Sequence, residues 1–244
     1  MQFLITIFNE TIFKPILNLL VFFVNILPGN DLGWAIIAVT VLIRFVLYPL
    51  SHKALSSQKK ISEIQPKLKE IQKKYKDDRQ KQSEEVMKFY KENNINPFSG
   101  CLPFLLQLPI IIGMYRVFLA ELTIENLSGL YSFVSVPTAI HTDFLGIINL
   151  LEPSIILALL AASAQFILSK TMFSKRKQMG TTATSGMQAM MGKQMIYVLP
   201  LVTFFIAQSF PAGLVLYWFI TTVFSFGQQL VINKSIENKM GATT

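Results

Sequence analysis

Residues 32–50 read LGWAIIAVTVLIRFVLYPL, nineteen positions with a single charge, Arg44. A helix of about 20 residues crosses a bilayer core of roughly 30 Å. The next stretch of chain is the opposite in character. Residues 51–97 carry twelve Lys/Arg and seven Asp/Glu, and then apolar sequence resumes. A long apolar run bounded abruptly by a basic block is the pattern of a chain that enters and leaves a membrane.

Working outward, the same alternation repeats. Apolar segments fall at 31–50, 99–120, 150–170, 195–210 and 211–232, and Pro211 and Gly213 favour a tight turn between the last two. Of 244 residues 52% are hydrophobic and 20 are Phe, which suits lipid as the solvent better than water. The net charge of +8 is confined to blocks between apolar runs. Such a distribution points to a membrane surface, with no sequence-specific nucleic-acid binding. The chain reads as all-α and polytopic, with five transmembrane helices.

The loops set the orientation. Segment 51–98 is basic, and segment 171–194 with its flanks holds Lys170, Lys175, Arg176, Lys177 and Lys193 without an acid. The loop 121–149 and its edges hold Glu121, Glu125, Asp143 and Glu152 without a base. The positive-inside rule puts the two basic loops and the tail 233–244 in the cytoplasm, and the N-terminus outside. Residues 1–30 are apolar but lack the basic start and small-residue cleavage site of a signal peptide. Thr11, Lys14, Asn18 and Asn25 fall within about 60° of arc on a helical wheel. That stripe predicts an amphipathic helix lying in the outer interface; the alternative is a sixth span that buries Glu10 and Lys14.

Within 51–98, Ile61, Ile64, Leu68, Ile71 and Tyr75 follow heptad-like spacing, and Val86, Phe89 and Tyr90 begin a second amphipathic piece. A cytoplasmic helical hairpin is expected, with Pro66 starting or kinking its first helix. It serves either as a solvated connector or as a docking arm. The loop 171–194 contains Met172, Met179, Met187, Met190 and Met191, suited to varied apolar partners or to a mobile linker.

Chemistry is sparse. Cys101 is a lone cysteine, and His52 and His141 have no ligand-like spacing. No metal site, cofactor motif or nucleophile–base pair is evident, so a non-enzymatic role is expected. Arg44 is the sharpest signal. It lies six residues from the end of its apolar run, about 9 Å deep, where an Arg is costly. It either snorkels to the headgroups or faces a wet cavity, with Thr40 and Tyr48 on the same face. Gln107, Gln165, Gln228 and Gln229 are further polar groups in the spans; each is a helix–helix hydrogen bond or part of one hydrophilic groove. Arg116, near the outer end of its span, has an easy path to snorkel. Tyr217 and Trp218 are interfacial anchors or groove-lining residues.

Four stretches taken together resemble the YidC family of membrane protein insertases. They are VLIRFVLYP at 41–49, Gln65-Pro66-Lys67, NPFSGCLP at 96–103 continuing to Gln107-Leu108-Pro109, and FPAGLVLYW at 210–218. The resemblance implies a five-helix core around a hydrophilic groove, open to the cytoplasm and the lipid and closed outside. It implies a substrate-binding set of Arg44, Gln107, Gln165, Tyr217 and Trp218, and a location in the bacterial plasma (inner) membrane. The implied activity is insertion and folding of client membrane proteins without nucleotide hydrolysis or a cofactor. Implied partners are nascent membrane proteins, the ribosome and the Sec translocon. Arg116 is outside that pattern, and the tail beyond Ile232 is only weakly basic. The rival reading is a small anion transporter or channel using Arg44, although no internal repeat supports it.

Overall fold

The computed structural model describes residues 2–96, 102–119, 129–178 and 186–241. Cys101, the remainder of the 97–101 motif, Met179 and the first part of the outer loop, with Glu121 and Glu125, lie outside the described residues. The described chain is mostly helical. The order is α1 (Gln2–Phe8), a π-helical turn (Asn9–Phe13), α2 (Lys14–Ile26), α3 (Leu32–Val46), α4 (Tyr48–Lys74) and α5 (Arg79–Glu92). Then come α6 (Leu102–Leu119), the short strands β1 (Asp143–Phe144) and β2 (Ile148–Asn149), α7 (Ile155–Gln178), α8 (Gly186–Ala207) and α9 (Ala212–Gly241).

Among the described residues, Gln2–Ile26, Ile155–Met172 and Ala212–Lys234 are each long and apolar enough to cross a membrane, by length and composition. The pair Leu32–Val46 and Tyr48–Ser57 is apolar enough only when taken together, and it bends by 62° at its break. Helices α6 and α8 have 18 and 22 residues, about 27 and 33 Å at 1.5 Å per residue. Their apolar side chains point outward as well as inward. Ile155, Ile156, Leu159 and Leu160 on α7, and Val198, Leu201, Val202 and Phe205 on α8, are exposed. In water such a surface is a liability; in lipid it is the expected face.

The core is assembled by close approach. Ala158 and Ala161 of α7 are fully buried, and α7 packs along both α8 and α9. A Cβ on Gly213 would stand 2.3 Å from the ring of Phe118, so only glycine lets α9 meet α6 there. Asp31 caps α3, its side chain accepting from the N–H groups of Gly33 and Trp34.

The first apolar run is not one straight rod. Helix α3 stops at Val46 and α4 starts at Tyr48. Pro49 is the cause: it lacks an N–H, and its ring clashes with the carbonyl of the residue four before it. Arg44 therefore lies beside a bend. Beyond it α4 runs on into the charged segment and passes through Pro66 without stopping. The segment folds back at Asp78, which caps α5 by accepting from the Lys81 N–H at 3.0 Å. Leu68 is buried, and Ile61, Ile64, Ile71, Tyr75, Val86 and Phe89 are half-buried.

The polar stripe of the N-terminal helix does not simply face water. Asn18 is 2% exposed. Its Oδ1 accepts from the Tyr131 N–H at 2.6 Å, and its Nδ2 donates to the Lys14 and Gly129 carbonyls. Asn25 donates to the Ser135 carbonyl at 2.7 Å. A wheel projection sees polarity but cannot distinguish water from a loop backbone as the partner.

Candidate functional site

Three helices meet at one amide. Arg44 projects from the last turn of α3, Gln107 from α6 and Tyr217 from the first turns of α9. The Arg44 Nη2 donates to Gln107 Oε1 at 2.9 Å, and Gln107 Nε2 donates to the Tyr217 hydroxyl. An amide suits this place because it accepts at one end and donates at the other. Tyr217 is 1% exposed, whereas Arg44 and Gln107 are half-buried. Among the described residues no carboxylate pairs with Arg44. Among the described residues its side-chain partner is Gln107, which takes one of its five N–H donors.

The remaining candidates separate. Trp218 is half-buried beside Tyr217. Gln165 is half-buried on α7 and forms no hydrogen bond to Arg44, Gln107 or Tyr217. Thr40, expected on the Arg44 face, is fully buried and donates to the Ile36 carbonyl of its own helix at 2.6 Å. Tyr48 stacks on His52. Gln228 is buried and holds the start of α4 against α9, donating to Ser51 Oγ at 3.0 Å. Gln229 donates to Asn233 on its own helix. These two glutamines are therefore structural hydrogen-bond groups. Sequence reasoning did not find Ser51, and it saw Asn18 only as part of a polar stripe, because their partners are distant in the chain.

Arg116 turns toward the N-terminal helix. Its Nη1 donates to Asn9 Oδ1 at 2.5 Å, and its guanidinium lies over Phe13 and Phe8.

At one end of the bundle the 129–154 segment is tied to two helices. The Leu32 N–H donates to the His141 carbonyl, and the His141 N–H to the Asn30 carbonyl, tying the 129–154 segment to the start of α3. The Ala212 and Gly213 N–H groups donate to the Glu152 and Leu150 carbonyls, tying it to the start of α9. Between these ties β1 and β2 form a small antiparallel hairpin. Its Phe144 packs where a Cβ on Gly33 would stand, 2.0 Å from the ring, and meets Trp34 edge to face. The Arg44 chain lies at the other end of α3, about 18 Å from Leu32 at 1.5 Å per residue.

Comparison with known proteins gives this geometry a context. A membrane protein insertase YidC of Wolinella succinogenes is 38% identical over 210 residues, covering 86% of this chain and 35% of the relative. One of Clostridium tetani is 36% identical over 215 residues, covering 88% of this chain and 87% of the relative. A crystal structure described as an active YidC insertase with the first transmembrane domain resolved superposes with a TM-score of 0.54 at 28% identity, covering 82% of this chain and 41% of that one. The chain spans about a third of the length of relatives such as that of Wolinella succinogenes. The family model described as 60Kd inner membrane protein matches residues 22–239. With that match over most of its length, this helical, multi-pass membrane chain belongs to the 60Kd inner membrane protein family.

Proposed function

We propose that the chain is a membrane protein insertase and folding chaperone. It passes short polar segments of client proteins through a hydrophilic groove facing the cytoplasm and releases their apolar helices into lipid. The observation that carries this is the Arg44–Gln107–Tyr217 chain, an arginine without a carboxylate partner among the described residues in a bundle whose far end is closed by the 129–154 segment. A closed far end and a polar near end describe a half-channel, through which a solute would not pass freely.

The chemistry follows from desolvation. A polar client segment in hydrocarbon leaves its backbone groups without hydrogen bonds, each costing several kcal/mol. Arg44 attracts acidic client residues and offers its free donors to client carbonyls. Gln107 and Tyr217 hold the guanidinium in place. Trp218 contributes an apolar face with a polar edge, and Gln165 a further amide on the α7 side. The client's apolar segment then moves laterally into lipid, and its burial there drives the reaction without a cofactor. Clients are nascent membrane proteins, delivered by ribosomes and shared with the Sec translocon.

In this reading the α4–α5 hairpin and the tail are cytoplasmic and the 129–154 segment is outside. The N-terminal helix lies in the outer interface. Its support is geometric: Asn9 bonds near the outer end of α6, and Asn18 and Asn25 both bond the outer loop. Those contacts spread over 16 residues, about 24 Å of helix. A helix standing upright would carry them to very different depths.

The anion-transporter alternative rests on the same arginine. Reconstitution separates the two. A single-span client should be inserted by proteoliposomes holding the protein, and labelled anions should not cross. Photocrosslinkers at positions 44 and 218 should capture that client in transit. Anion flux without client insertion would replace the proposal by its rival.

A further inference from the structure

Helix α6 is gripped on two faces. Gln107 and Arg116 are nine residues apart, which at about 100° per residue sets them on opposite sides of the helix. One side meets Arg44 and Tyr217. The other meets the N-terminal helix, where Arg116 bonds Asn9 at 2.5 Å and lies 5.2 Å from the Phe13 ring centre and 5.8 Å from that of Phe8. The π-helical turn Asn9–Phe13 explains how one guanidinium meets all three: its wider i→i+5 spacing brings Phe8 and Phe13 into line with Asn9 beside them. One turn before Arg116, Gly113 admits Ile12 and Ile16; a Cβ there would lie 2.9 Å from each. The contact is thus fitted in shape as well as charge.

We propose that Arg116 is a positioning residue, a latch that holds α6 against the N-terminal helix and so keeps Gln107 in register with Arg44 and Tyr217. This rests on reading those three residues as the client-facing site. A charge that merely snorkelled would need no π-turn, no aromatic pair and no glycine opposite. The planar guanidinium matters, because it stacks on rings and donates to an amide at the same time.

The test has two arms. Hydrogen exchange of residues 2–13, measured in nanodiscs, reads the latch alone. Arg116→Ala and Asn9→Ala should each speed exchange roughly tenfold by removing the charge-assisted bond, and Arg116→Lys should fall between them and wild type. The second arm reads function. Ile12→Cys with Gly113→Cys, in a Cys101→Ser background and with Ile16→Val to remove the Cδ1 that a Cβ at 113 would meet at 2.9 Å, offers a disulfide between the two helices, its formation checked by thiol counting. Arg116→Ala should slow insertion of a single-span client. The oxidised 12–113 bond should restore it, and dithiothreitol should remove the gain in the same sample. Unchanged exchange in Arg116→Ala overturns the latch. An insertion defect indifferent to the disulfide overturns the positioning role. If the wild type inserts no client, the insertase reading fails, while exchange still decides the latch.

Discussion

Replacing Gln107 by Glu separates the stability of the three-helix junction from its charge. The two side chains have nearly the same shape, so the carboxylate would stand where the amide now accepts from Arg44 at 2.9 Å. The Tyr217 hydroxyl, which now accepts from the amide, can turn to donate to the carboxylate. Opposite charges about 4 Å apart attract by roughly 4 kcal/mol at an effective dielectric of 20. The junction should therefore melt no lower than wild type. Function should move the other way, because Arg44 would be neutralised for clients. Allowing for its half-exposure halves the attraction to about 2 kcal/mol, roughly thirtyfold in occupancy by an acidic segment. The assay is insertion into proteoliposomes of two single-span clients that differ only in an acidic or neutral outer segment. Gln107→Leu is the control: it keeps the charge but removes the amide partner of both Arg44 and the buried Tyr217 hydroxyl, at about 1–3 kcal/mol. It should lower the melting temperature and preserve preference for the acidic client. An undiminished preference of Gln107→Glu for the acidic client, at the wild-type rate, would refute the role of charge.

Three further outcomes are expected. Arg44→Ala should impair acidic-tailed clients most, Arg44→Lys should retain much of the activity, and Arg44→Glu should be worst through repulsion; near-normal insertion by all three would reduce Arg44 to a snorkelling side chain. In a Cys101→Ser background, an impermeant thiol reagent applied to intact cells should label a cysteine at position 130 and spare one at position 75, and the reverse pattern would invert the topology. Asn18→Ala should leave the Tyr131 N–H unpaired, cost about 1–3 kcal/mol and speed protease cleavage within residues 129–135 from outside, whereas unchanged cleavage would mean that other ties hold the loop.

The all-helical class was legible because lipid imposes a coarse rule. Long apolar runs must satisfy their backbone internally, and one Arg among nineteen residues is hard to miss. The bend at Leu47 was less legible, although Pro49 was in plain view. A proline terminates or kinks a helix according to what packs on it, and here Gln228 and Ser51 hold the next helix at its new angle. The meeting of Arg44, Gln107 and Tyr217 came from family-like motifs and not from periodicity, since positions 44, 107 and 217 have no local relation. The partners of Arg116 were not legible, for a physical reason. Its nearness to a helix end made snorkelling the economical expectation, and its partners sit more than 100 residues earlier, arranged by a π-turn that composition does not announce.

These pieces constrain one another energetically. A groove that welcomes polar segments must keep a guanidinium hydrated and its helices apart, yet the same helices are packed through alanine and glycine contacts that favour closure. Under the proposed insertase reading, the two demands are separated along α3. At the Leu32 end, Gly33, Phe144 and the loop ties seal the bundle with backbone hydrogen bonds and tight packing. At the Arg44 end the helix breaks at Pro49 and α4 turns away by 62°. At this end Ser51 and Gln228 fix α4 on α9. Breaking the Ser51–Gln228 pair should therefore act on the Arg44 end of the bundle, leaving the sealed end intact.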